Sequence, residues 1–202
     1  MLIKSSGVKF LSLFISLSFL LYLFYLIYNS FFIVKNQFTD IGNSTYVNQV
    51  RIDEYTKKLS DFLVQNCNKD RVCEVQKILD FVTNIPYKIN ESIAKSPKNV
   101  VEQNFGDCDD KSNLLISLLR QKDYEAYFVL VPEHIFVIVN LEDEVLDKKA
   151  IYLNEKRFYI LESTAKDSKI GFPLKYKISE IEAIIDPFIN KKIVKKELEY
   201  KK

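Results

Sequence analysis

Between Lys9 and Lys35 the chain runs for 25 residues without a charge, and 20 of them are apolar when Tyr is counted. As a helix, Phe10 to Val34 is about 37 Å long at the standard rise, enough to cross a bilayer with some tilt. A cleaved signal peptide has a shorter apolar core and a small-residue cleavage site. Here the run ends in Phe31-Phe32-Ile33-Val34, nothing resembles Ala-x-Ala, and no Cys follows directly for a lipid anchor. Lys4, Lys9 and the terminal amine precede the run, so the positive-inside bias puts the N-terminus in the cytoplasm. The expectation is an uncleaved signal anchor at 10–34, a cytoplasmic segment at 1–9, and a single-pass topology with the remainder periplasmic or extracellular.

Only 4 Gly and 5 Pro among 202 residues exclude collagen-like and low-complexity chains, and 13% aromatic content argues against disorder. With 29 basic and 27 acidic residues, nothing in the overall charge points to a nucleic-acid partner. Residues 35–46 are polar with Gly42 and suit a short solvated linker. Asn43-Ser44-Thr45 and Asn90-Glu91-Ser92 match the glycosylation pattern, which is informative only in a eukaryotic secretory setting.

Residues 47–190 read as one domain. Leu59, Phe62 and Leu63 continue a helical stripe begun at Tyr55, and Val72, Val75, Leu79 and Val82 form a second one that stops before Pro86. A strongly apolar helix follows at about 108–121. Strand chemistry then takes over at 126–131, 134–140 and 158–163, with 151–153 as a short extra strand inside the 16-residue stretch 141–156, which otherwise suits a lid. Helices followed by an antiparallel sheet make the fold class α+β. Residues 191–202 carry six Lys against two Glu and read as a solvated helix end or tail.

Cys67 and Cys73 lie six apart near the junction of the first two helices, where an oxidising compartment favours a disulfide; two unpaired thiols are the alternative. Cys108 is left as a lone thiol. It follows Gly106-Asp107 and opens a helix, where the dipole and free N–H groups favour a thiolate and can hold an oxyanion forming on an attacked acyl group. His134 is the only histidine and starts a strand. If 134–140 and 158–163 pair antiparallel, His134 lies beside Glu162, which ends the face of Phe158 and Ile160 and needs a partner there. Carboxylate, imidazole and helix-start thiol together make the set that nucleophilic cysteine chemistry requires. Taken singly, each has a plainer reading: a small buried hydrophobe, a packed histidine and an exposed strand-end charge.

The strings GDCDDKSNLLISLLRQKDYEAYFVLV, HIFVIV and YILEST, with ILDFVTNIPYKIN upstream, resemble the transglutaminase-like superfamily of papain-type cysteine enzymes over about residues 70 to 170. That resemblance implies a papain-like core behind the membrane helix, with Cys108 as nucleophile, His134 as base and Glu162 as orienter. By analogy with papain-like enzymes, Gln103 is a candidate oxyanion donor. It also implies thioester acyl transfer on a protein or peptide substrate, with hydrolysis favoured over cross-linking, and no cofactor. In a bacterial member the domain would be periplasmic. Glu162 stands where the family usually has Asp, Phe136 where it often has Trp, and Asp107, Asp109 and Asp110 crowd the cysteine. These departures leave an inactive protein-interaction module as the alternative. With one histidine in the chain, no catalytic metal is expected.

Overall fold

The computed structural model describes residues 6–42, 44–89, 93–141 and 146–202. Lys4, the sequon asparagines Asn43 and Asn90, and residues 142–145 of the 141–156 stretch lie outside the described residues. Helix α1 (Ser6–Gln37) is continuous, and its apolar window is not buried against the rest of the chain. By length and composition it is able to cross a membrane.

Directly after it, β1 (Phe38–Asp40) and β2 (Thr45–Val47) pair antiparallel. This differs from the solvated linker expected at 35–46. The polar composition conceals a period-two pattern in which Thr39 and Tyr46 face inward and are buried. Asn190 then ties the hairpin down, holding the carbonyls of Lys35 and Phe38 and the Thr39 hydroxyl.

Helices α2 (Glu54–Val64), α3 (Arg71–Asn84), α4 (Pro97–Gln103) and α5 (Cys108–Arg120) follow. Asp53, Asp70 and Asp107 cap α2, α3 and α5 with side-chain oxygens, satisfying donors that a helix start leaves open. Residues 110–119 of α5 are all buried, so α5 is the central helix of the layer.

Seven strands form the sheet: β3 (Ala126–Val131), β4 (His134–Asn140), β5 (Ala150–Leu153), β6 (Lys156–Leu161), β7 (Ala183–Asp186), β8 (Lys191–Lys192) and β9 (Leu198–Lys201). Their spatial order is β8-β7-β3-β4-β6-β5-β9 and every pairing is antiparallel. Strand β4 is apolar along both faces because both are covered. Ile135, Val137 and Val139 join the core beneath the helices. Phe136 and Ile138 join a second core closed by Phe172, Leu174, Tyr176 and Ile181. Such two-sided burial produces a near-continuous apolar run instead of alternation. Helices over a mainly antiparallel sheet make the fold α+β.

The last dozen residues differ from the expected helix end or tail. They supply both edge strands, because Leu198 and Tyr200 alternate inward against the second core while the lysines point outward. Lysine on an edge strand also discourages further strand addition.

Candidate active site

Cys108 is positioned by an unusually tight approach. Gly106 pairs with Tyr87 in a parallel bridge, and its N–H donates to the Pro86 carbonyl at 3.2 Å. A Cβ at position 106 would lie 2.7 Å from the Asp110 Cβ, so only glycine fits. Asp107 then caps the helix by accepting the Asp110 N–H at 3.0 Å. Cys108 is a half-buried free thiol on the first turn, beside backbone N–H groups that α5 itself leaves unused.

Behind the thiol, α5 is fastened by polar side chains. Lys111 is fully buried and donates its Nζ to the Ile85 carbonyl at 2.8 Å, capping the C-terminal end of α3. Burial lowers its ammonium to about 8, against the pull of the Glu162 charge. The hydroxyls of Ser112 and Ser163, both fully buried, meet at 3.2 Å and tie the cysteine helix to the residue following Glu162.

The β3–β4 turn is two residues long, Pro132-Glu133, with Glu133 in the left-handed region at φ 59°. It delivers His134 to the first position of β4. Val137 pairs with Leu161 in the neighbouring strand, so Glu162 leaves β6 level with the start of β4. His134 Nε2 and Glu162 Oε2 are 2.9 Å apart. The other oxygen, Oε1, accepts from the Thr164 hydroxyl at 2.6 Å and from its N–H at 3.0 Å. Burial pushes the Glu162 carboxyl up, but hydrogen bonds from His134 and Thr164 outweigh it, and the net shift is downward. Glu162 is therefore an ionised acceptor, and Nε2 carries the hydrogen it receives. Tyr176 stacks on the imidazole, with centroids 6.2 Å apart and planes 20° apart.

With Nε2 occupied, Nδ1 is the nitrogen left for the thiol. Cys108 and His134 line the same 360 Å³ hollow. The thiol is the largest influence raising the imidazole to about 9, followed by Glu162, with burial opposing both. On the other side of His134 a 310 Å³ hollow is walled by Glu162, Phe172, Leu174 and Tyr176. His134 thus lines both hollows.

Gln103 is exposed at the end of α4 and does not line either hollow. Cys67 and Cys73 are disulfide-bonded, with Cα atoms 5.5 Å apart, joining the end of α2 to the first turn of α3. Asp109 lines the Cys108 hollow. Its carboxyl is raised to about 6, first by burial and then by the charges of Asp107 and Asp110, with His134 opposing. Among the described residues no group of three or more His, Cys, Asp or Glu is arranged to hold a metal ion.

Sequence reasoning missed two aromatic residues of this site. Tyr176 comes from the irregular stretch FPLKY, and Tyr46 lines the Cys108 hollow from β2. Neither sits in a motif or a long periodic element, and only the tertiary fold brings them here.

No protein-family model and no curated protein matches the sequence. Among solved structures, the chain is similar to a protein from Cytophaga hutchinsonii provisionally described as a cysteine protease, at 18% identity and a TM-score of 0.43. That match covers 55% of this chain and 37% of the other. Legionella pneumophila LapG is similar at 13% identity and a TM-score of 0.41, covering 60% of this chain and 78% of that one. Both are distant likenesses of fold.

Proposed function

We propose that this chain is a transglutaminase-like cysteine enzyme, anchored by α1 in a membrane with its domain outside the cytoplasm, that cleaves peptide or amide bonds through a thioester on Cys108. The observation carrying this reading is the 2.9 Å contact between His134 Nε2 and a buried, doubly supported Glu162, beside a free thiol at a helix start. His134 Nδ1 takes the thiol proton, and the sulfur attacks the acyl carbon. The tetrahedral adduct collapses as the imidazolium gives that proton to the departing amine. Water then enters, loses a proton to Nδ1 and attacks the thioester, releasing a carboxylic acid and restoring the thiol. The signal-anchor reading rests on the uncharged 25-residue run and the lysines before it.

The test is the pH dependence of Cys108 alkylation by iodoacetamide on the full chain in detergent, with Cys67 and Cys73 left oxidised. A thiolate titrating well below the free-thiol value of about 8.5, moved upward by both His134→Ala and Glu162→Ala, supports the assembled set. An ordinary titration indifferent to both substitutions overturns it. The chain would then be an inactive protein-interaction module instead of an enzyme.

A further inference from the structure

The hollow in front of Cys108 has an unassigned polar group. Its near wall is Cys108, Asp109 and His134, and its far wall includes Ile41, Thr45 and Tyr46 from the hairpin that follows α1. Tyr46 is 9% exposed. Its hydroxyl is buried, with no hydrogen-bond partner among the described residues. A phenol buried without a partner is costly and calls for an explanation. Its ring is fixed edge-to-face on Phe128, with centroids 5.7 Å apart and planes at 75°, so the hydroxyl is held in place. Burial, and then the charges of Asp109, Cys108 and Asp107, hold the phenol well above its usual 10. It therefore remains an O–H donor throughout the pH range in which the thiol ionises.

We propose that Tyr46 donates a hydrogen bond to the acyl oxygen of a substrate attacked by Cys108, so that the membrane-proximal hairpin supplies half of the oxyanion site and the α5 backbone supplies the other half. This rests on the acyl-transfer reading. When the thiolate adds to the carbonyl carbon, the π electrons move to oxygen and negative charge appears there. A donor already fixed in position stabilises that charge without reorganising. Gln103 does not line this hollow, whereas Tyr46 does.

Two reagents separate this role from packing. p-Nitrophenyl acetate acylates sulfur through a tetrahedral oxyanion and releases p-nitrophenolate. Iodoacetamide alkylates sulfur by displacing iodide and forms no oxyanion. On the full chain in detergent, Tyr46→Phe, which keeps the ring on Phe128, should lower the acylation rate about 100-fold and leave the alkylation rate within twofold. Equal losses in both rates overturn the proposal, since Tyr46 then only shapes the site. No loss in either rate overturns it as well. A wild-type thiol no faster than free cysteine with both reagents removes the acyl-transfer reading itself, and the proposal with it.

Discussion

The two oxygens of the Glu162 carboxylate act separately, since Oε2 holds His134 while Oε1 is held by Thr164. Residue 162 lies just beyond the end of β6, where the N–H and hydroxyl of Thr164 both reach its carboxylate. Thr164→Val removes the hydroxyl donor from a charged acceptor. The expected cost is about 2 kcal/mol, with a several-fold fall in Cys108 alkylation at pH 7; urea unfolding and alkylation kinetics read the two effects separately. The histidine also gives a pH signature. Its folded value is raised to about 9 from an ordinary 6.5, so the folded state binds the proton more tightly than the unfolded chain does. That stabilisation is complete below about 6.5 and is lost as pH rises through 9. Subtracting His134→Ala from wild type across pH 7 to 9.5 should show an advantage of a few kcal/mol shrinking towards the alkaline end. The lower limit of 7 keeps the Asp109 titration, near 6, out of the comparison. A difference that does not change with pH would mean that the imidazole is neutral in the resting protein.

At the scale of elements, α5 shows what a sequence reveals and what it conceals. Its opening at Cys108 and its apolar residues were legible from Gly106-Asp107 and from the leucines, and the meeting of His134 with the end of β6 was legible on the condition that 134–140 and 158–163 pair antiparallel, as they do. Less legible was that polar residues of α5 point inward too. Asn113 accepts the Gln49 N–H at 3.1 Å, and Ser117 accepts the Arg51 N–H at 3.0 Å. Side-chain polarity alone says "surface", whereas here each group satisfies a backbone donor of an irregular segment that α5 must hold. Ser112 and Ser163 test this. Either single change to Ala leaves the other buried hydroxyl unpaired, at about 1–3 kcal/mol. The double change should cost clearly less than the sum, because it leaves neither. Additive costs in urea unfolding would show that the two hydroxyls do not depend on each other. Gly106→Ala is a harsher test of the same element. The 2.7 Å approach to the Asp110 Cβ forces backbone movement directly before Cys108, so thermal stability and alkylation should fall together. The edge strands at 191–202 were illegible for a different reason. Strand β9 gains its identity only by pairing with β5, nearly fifty residues earlier in the chain, and lysine-rich alternation has no such meaning by itself.

At the scale of the molecule, the apolar helix and the layer that carries Cys108 are separated by no spacer. Gln37 ends α1, Phe38 begins β1, and the Asn48 N–H closes the hairpin onto the Gln37 carbonyl at 3.0 Å. Lys192 Nζ reaches the Ile41 carbonyl at 3.3 Å, and Asn190 holds the base of the hairpin. With α1 in a bilayer, the height of Cys108 above the membrane is therefore set by folded contacts instead of linker length. The same contacts predict that the hairpin belongs to the folding unit. A fragment 36–202 keeps Thr39, Tyr46 and Asn48 in their buried places, whereas a fragment 49–202 loses all three and exposes Phe128. Removing one large buried aromatic alone costs about 3–5 kcal/mol, so the shorter fragment should unfold at a markedly lower urea concentration. Its Cys108 hollow should open to water as well, slowing acylation further than Tyr46→Phe does. Equal urea midpoints for the two fragments would instead make the hairpin a loosely applied cover, and the height of the site would then be free to vary.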